Sequence, residues 1–126
     1  MSKGPTVLLI DDDKDYCHMM EIHLLDISNF KMICASNGRD GLEFARSMKP
    51  DIIVLDVIMP GIDGFAVLEA LKKDKETVAI PVIMLTGLDD DQARLRASRL
   101  YDEACITKPV DAHQLKAKIE EILNIS

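Results

Sequence analysis

Residues 51–64 read DIIVLDVIMPGIDG, and this stretch decides the fold class. Residues 52–55, IIVL, are few, mostly β-branched and apolar at every position. Such a run suits a strand buried on both faces, as in a parallel sheet. Asp56 follows at its carboxyl end, where open α/β sheets place their ligand crevice. Met59, Pro60 and Gly61 break the strand and turn the chain towards a helix beginning near Asp63. Taken alone, Asp56 reads equally as a strand-end cap or as a site carboxylate. The flanking sequence decides between the two.

Working outward, residues 6–10, TVLLI, form a second apolar run, followed at once by Asp11-Asp12-Asp13. Acidic side chains cap and charge-match a helix N-terminus. The next helix therefore starts there, with Tyr16, Met20, Leu24 and Ile27 at helical spacing towards a core. Residues 30–35, FKMICA, alternate only partly, which suits an edge strand. Asn37-Gly38 is a turn signal, and a helix through Leu42, Ala45 and Met48 runs to Lys49-Pro50. After the opening stretch, Phe65, Leu68 and Leu71 share a helical face. Residues 80–85, IPVIML, give a fourth strand that ends at Thr86-Gly87. Asp89-Asp90-Asp91 opens a helix with a thin stripe of Ala93, Ala97 and Leu100. Residues 104–107, ACIT, are a fifth strand, broken by Lys108-Pro109. The final helix turns Ala112, Leu115, Ile119 and Ile122 inward, and Lys116, Lys118 and Glu121 outward.

A strand–helix unit thus repeats five times. Such alternation implies a parallel sheet with helices on both faces, and right-handed crossovers leave few topologies. The predicted fold is α/β: a flavodoxin-like (βα)5 doubly wound sheet of strand order 2-1-3-4-5. Residues 1–5 are expected to be a flexible tail and residues 6–126 one domain. The 126 residues suffice for one core, and 48% hydrophobic with 29% charged residues is a globular balance. A net charge of −7 argues against direct binding of nucleic acid or an acidic membrane face. No secretory h-region or membrane-length apolar run occurs, so a cytoplasmic location is expected. Cys17, Cys34 and Cys105 lack CxxC spacing and sit in apolar contexts, and buried thiols are expected rather than disulfides or zinc. The seven methionines are expected in the core. His18, His23 and His113 have no ligand partners at suitable spacing.

In a parallel sheet the strand ends share one edge. Asp11 and Asp12, Asp56, Thr86 and Lys108 therefore converge on one crevice. Two like unit charges about 4 Å apart repel by roughly 4 kcal/mol at an effective dielectric near 20. Three carboxylates beside one ammonium call for a divalent cation, and hard oxygen ligands suit Mg²⁺. A carboxylate so placed can attack a phosphoryl group and carry it as an acyl phosphate.

The chain resembles the response-regulator receiver domains of two-component signalling. The resemblance rests on IDDDKD at residues 10–15, LDVIMPGIDG at 55–64, MLTG at 84–87 and ITKP at 106–109, and spans essentially all 126 residues. It implies a phosphorylation-activated switch, with Asp56 accepting a phosphoryl group from a sensor histidine kinase or histidine phosphotransfer protein. It implies Asp11, Asp12, Asp56 and the Ile58 carbonyl as the Mg²⁺ site, with Asp12 and Asp56 direct ligands and Asp11 acting through water. Thr86 and Lys108 would contact the phosphoryl group, and the Lys108–Pro109 bond would be cis. Such a domain is no enzyme beyond self-catalysed phosphoryl transfer and dephosphorylation. Its output would be altered affinity for a downstream protein or effector domain, or homodimerisation, through the fourth helix, fifth strand and fifth helix. No effector domain is expected within the 126 residues.

One departure concerns the position three before the lysine, which is usually Tyr or Phe in the family and is Cys105 here. Two alternatives remain: a haloacid-dehalogenase-type phosphatase using Asp11-x-Asp13, and a receiver-like binding module that is never phosphorylated. An EF-hand over Asp11, Asp13 and Asp15 fails, because Tyr16 stands where glycine is needed and Ile22 where glutamate is needed.

Overall fold

The computed structural model describes residues 4–57, 64–87 and 104–125. Five strands make up its sheet: β1 (Thr6–Ile10), β2 (Lys31–Ala35), β3 (Ile52–Asp56), β4 (Val82–Thr86) and β5 (Ala104–Thr107). All pair in parallel, in the order β2-β1-β3-β4-β5. Four described helices join them: α1 (Lys14–Ile27), α2 (Gly38–Met48), α3 (Gly64–Lys73) and the C-terminal α4 (Ala112–Leu123). This is the doubly wound order that the alternation predicts. The helix expected over 89–100, the Pro60-Gly61 break and Ile58 lie outside the described residues.

The two faces of the sheet explain the apolar runs. Side chains alternate along a strand. One parity, including Leu8, Ile10, Ile53, Leu55, Val82 and Met84, packs with Ala45 of α2 and with Phe65, Leu68 and Leu71 of α3. The other parity, including Val7, Leu9, Ile52, Val54, Ile83 and Leu85, packs with Met20 and Leu24 of α1 and with Leu115 and Ile119 of α4. Every residue of β3 and β4 is buried, as a strand covered on both faces requires. Each such Leu or Ile contributes about 1.5–3 kcal/mol. A Leu55→Ala change would leave a cavity costing about 2–5 kcal/mol. At the margins, β2 and β5 are only partly buried, so the edge assignment of β2 holds.

Local chemistry sets the element ends. Asp13, Asn37 and Asp111 cap α1, α2 and α4 through their side chains, and Asp111 and Gln114 close a capping box. Two strand boundaries differ from expectation. β2 starts at Lys31 because the Phe30 amide donates to Ser28 Oγ instead (3.2 Å). β4 starts at Val82 because Pro81 has no N–H and the Ile80 amide closes a turn onto the Thr77 carbonyl (3.0 Å). Thr86 is thereby the last residue of β4 rather than its terminator. The methionine expectation needs correcting too. Met20 and Met84 are buried, but Met19 and Met48 are exposed on helix faces turned away from the sheet. Among the cysteines Cys17 is buried, while Cys34 and Cys105 are half-buried, and none is bridged. Residues 4 and 5 lie beside the sheet, with the Gly4 amide on the Asn29 carbonyl (3.1 Å) and the Lys31 amide on the Pro5 carbonyl (2.9 Å). Among the described residues no helix is long and apolar enough to cross a membrane.

Candidate functional site

The carboxyl edge of the sheet gathers the polar residues. Register pairs Ile10 with Leu55, Asp56 with Leu85, and Thr86 with Thr107. Backbone bonds hold the residues just past the strands: the Asp11 amide on Ala35 (3.0 Å), Val57 on Leu85 (3.1 Å) and Lys108 on Thr86 (2.7 Å). By alternation Asp11, Asp56 and Lys108 continue the face covered by α1 and α4, whereas Thr86 continues the face of Val82 and Met84. The Lys108–Pro109 bond is cis, as the resemblance implies.

Asp11 is buried with both oxygens engaged. Its Oδ1 accepts from the Asp13 amide at 3.0 Å, and its Oδ2 from Lys108 Nζ at 3.1 Å. Cys17 Sγ donates to the Asp11 backbone carbonyl at 3.5 Å, tying α1 to the end of β1. Asp56 Oδ2 lies 3.4 Å from the same ammonium. Asp12 is exposed, and one carboxylate oxygen from each of Asp11, Asp12 and Asp56 lies within 4.8 Å of the others. The sequence-predicted trio and its lysine are therefore together. The donor set of three hard oxygens fits Mg²⁺. One ammonium leaves the trio with net negative charge, which a divalent ion would offset.

Burial acts on Lys108 to favour the neutral amine. The hydrogen bond and charge of Asp11, then the charge of Asp56, outweigh it and raise the lysine above its ordinary range. It is therefore a fixed cation at neutral pH. Thr86 is buried, and among the described residues its Oγ1 has no hydrogen-bond partner. A buried hydroxyl left so costs about 1–3 kcal/mol. It is a donor suited to an incoming oxyanion.

Two residues escaped the sequence reading. Tyr16, assigned only to the core, also places its ring under Lys108, with Nζ 4.7 Å from the centroid. Gly64 abuts the site strand, since a Cβ there would stand 2.5 Å from the Asp56 carbonyl and 2.6 Å from Val57 Cα. Its amide donates to the Val57 carbonyl (3.0 Å), closing the chain back on itself. A glycine opening a helix just after the site was the available signal. Ile58 and Tyr101 lie outside the described residues. Cys105 packs partly against the cluster under α2 and α3.

The sequence model of the response regulator receiver domain matches residues 7–120. Protein PilH of Pseudomonas aeruginosa is 35% identical over 117 residues, covering 93% of this chain and 96% of PilH. The DNA-binding dual master transcriptional regulator RpaA of Synechocystis is 33% identical over 119 residues, covering 94% of this chain but 49% of RpaA. The chain thus spans nearly all of the first relative and about half of the second. The receiver domain of the Francisella response regulator 1452 superposes with a TM-score of 0.84 at 26% identity, covering 96% of this chain and 98% of that one. Chemotaxis protein CheY4 of Vibrio cholerae shares the fold at a TM-score of 0.85 and 24% identity, covering 94% and 98%. None of these similarities supports the phosphatase or the unphosphorylated module. A doubly wound sheet with an Asp trio and a lysine at its carboxyl edge, matched from residue 7 to 120, makes this chain a member of the response regulator receiver domain family, a signalling domain that works as a phosphorylation switch.

Proposed function

We propose that Asp56 is the phosphoacceptor of this receiver domain. The observation that carries the reading is the meeting of Asp11, Asp12 and Asp56 with Lys108 at one sheet edge. An Asp56 oxygen attacks the phosphorus of a phosphohistidine, the P–N bond breaks, the imidazole leaves, and an acyl phosphate remains on Asp56. Asp11, Asp12, Asp56 and the Ile58 carbonyl would hold Mg²⁺, which when bound supplies positive charge to the transferring oxygens. Both Asp11 oxygens are already engaged, which supports contact through water, with Asp12 and Asp56 as direct ligands. The Lys108 ammonium, still on its side chain, shifts its hydrogen bond from a carboxylate to a phosphoryl oxygen, and the Thr86 hydroxyl, without a partner among the described residues, donates to another. The chemistry is self-catalysed transfer and later hydrolysis, in a cytoplasmic domain spanning residues 6–126.

The phosphoryl group brings about −1.5 to −2 charge and three acceptors. Charge-assisted bonds contribute about 1.5–3 kcal/mol each. Coupling of about 1–3 kcal/mol shifts a partner equilibrium 5- to 150-fold. The new bonds therefore suffice to bias a pre-existing equilibrium. The donor is a histidine kinase or phosphotransfer protein. Exposed Met19, Ile22 and Leu25 on α1, the helix that leaves the site, support its docking there. Output runs through residues 89–100, β5 and α4, to a downstream protein, an effector domain or a second copy. Calorimetry with beryllofluoride, a phosphoryl mimic, tests the site. One saturable event that needs Mg²⁺ and vanishes in Asp56→Asn is expected, whereas binding that survives Asp56→Asn would overturn the assignment.

A further inference from the structure

We propose that Tyr16 is a positioning residue of the site, its ring face confining the Lys108 ammonium to the side of Asp11 and Asp56. The inference rests on the role given to Lys108 above. Lysine is a compact charge on a flexible four-carbon stem, so something must restrict where it stands. Among the described residues, Nζ lies beside Asp11 Oδ2 at 3.1 Å, Asp56 Oδ2 at 3.4 Å and the Tyr16 ring with its centroid at 4.7 Å. That distance lies inside the roughly 6 Å range of cation–π attraction. The two carboxylates draw the ammonium by hydrogen bonding and charge. The ring attracts it without a directional bond, so the ammonium can pass from carboxylate to phosphoryl oxygen across one flat surface.

Tyr16 is built to hold still. It sits in the first turn of α1, where its amide donates to the capping Asp13 Oδ1 at 3.1 Å. Its ring also packs against the apolar cluster between α1, α4 and the sheet. The phenol oxygen is buried and, among the described residues, has no hydrogen-bond partner. What Tyr16 offers Lys108 is therefore the ring rather than the hydroxyl. Burial raises the phenol above its ordinary range, Lys108 opposing and Asp11 and Asp56 adding, so the ring is neutral at physiological pH.

Tyr16→Leu, which keeps apolar bulk, and Tyr16→Phe, which keeps the ring, separate this role from mere packing. In nuclear magnetic resonance spectra of the wild type, the Lys108 Hε signals should lie upfield through the ring current. Tyr16→Leu should move them downfield and Tyr16→Phe should not. Beryllofluoride affinity in Mg²⁺ should fall about 3- to 10-fold in Tyr16→Leu, the range of a partly desolvated cation–π contact, and Tyr16→Phe should rescue it. In a Lys108→Met background Tyr16→Leu should cause no further loss. Unmoved Lys108 signals in Tyr16→Leu would overturn the proposal, as would an equal affinity loss in Tyr16→Phe or a full loss persisting without Lys108. Should the wild type bind no beryllofluoride, the phosphoacceptor reading fails, while the Lys108 signals alone still decide the role of Tyr16.

Discussion

Asp12→Asn probes the acidic trio directly, because it removes one charge and little else. Among the described residues Asp12 forms no ion pair, whereas Asp11 and Asp56 share Lys108. At the 4.8 Å limit of the trio, two unit charges repel by about 0.9 kcal/mol in water and about 3.5 kcal/mol at an effective dielectric of 20. Asp12 is exposed, so the watery end governs, and its two repulsions total about 2 kcal/mol. Longer-range attraction to Lys108 offsets part of this. The variant should therefore be more stable than wild type without metal, by about 1–2 kcal/mol, or roughly 4–8 °C in Tm. Added NaCl should erode the gain, since the Debye length falls from about 30 Å at 0.01 M to about 3 Å at 1 M. Mg²⁺ should reverse the order. Saturating a native-state site at 100 times its Kd adds about 2.7 kcal/mol, and the amide variant forgoes most of it. Urea denaturation at low ionic strength, in EDTA and then in rising Mg²⁺, should give stability curves that cross. A variant less stable than wild type in EDTA, or equal Mg²⁺ gains in both proteins, would show that Asp12 neither repels its neighbours nor ligates the ion.

Other perturbations follow from the same geometry. Lys108→Met strands the Asp11 carboxylate, whose side chain is 1% exposed; because the lysine itself is 31% exposed, the cost should fall near the low end for a broken buried pair, about 3 kcal/mol at pH 8 by urea denaturation. The folded-state pKa of Lys108 is raised, so its contribution is complete below the ordinary lysine value and is lost as pH rises through the folded value. The stability gap between wild type and Lys108→Met should thus stay flat from pH 7 to 9 and close only above about pH 10.5. Gly64→Ala forces a methyl onto backbone atoms of Asp56 and Val57 and should cost about 1–3 kcal/mol while weakening Mg²⁺ binding. Gly41→Ala presses first on side-chain atoms of Ile10 rather than on backbone of the site strand and should leave Mg²⁺ binding at wild-type strength by calorimetry. Thr86→Val deletes a hydroxyl with no partner among the described residues, so metal-free stability should hold or rise slightly, while beryllofluoride affinity drops about tenfold for one lost charge-assisted bond.

Most of the fold was legible because β1, β3 and β4 carry unbroken apolar runs, Val7–Ile10, Ile52–Leu55 and Val82–Leu85, which suit strands covered on both faces, and because these runs alternate with helical patterns. The trio and Lys108 were legible for a related reason: parallel strands bring their carboxyl ends to one edge, so distant residues meet without any local signal. Tyr16 was not, because helical spacing reports which face of α1 turns inward but not that this face ends beneath the ammonium of Lys108, just past β5. Met19 and Met48 misled because a methionine's apolar character says nothing about which side of its helix it occupies. The start of β4 depended on a balance between Pro81, which cannot donate to a ladder, and the turn after α3, which takes the Ile80 amide. Lys49 adopts φ 47° at the end of α2, a left-handed cap that glycine usually signals and that here carries no signal at all.

The central claim is that Asp56 carries the phosphoryl group. Its most direct test is the intact mass of wild type and Asp56→Asn after incubation with acetyl phosphate, with and without Mg²⁺. A single phosphoryl adduct is expected on the wild type, absent without Mg²⁺ and absent in Asp56→Asn. An adduct that persists in Asp56→Asn but disappears in Asp11→Asn would contradict it, and would place the nucleophile on β1 instead of β3.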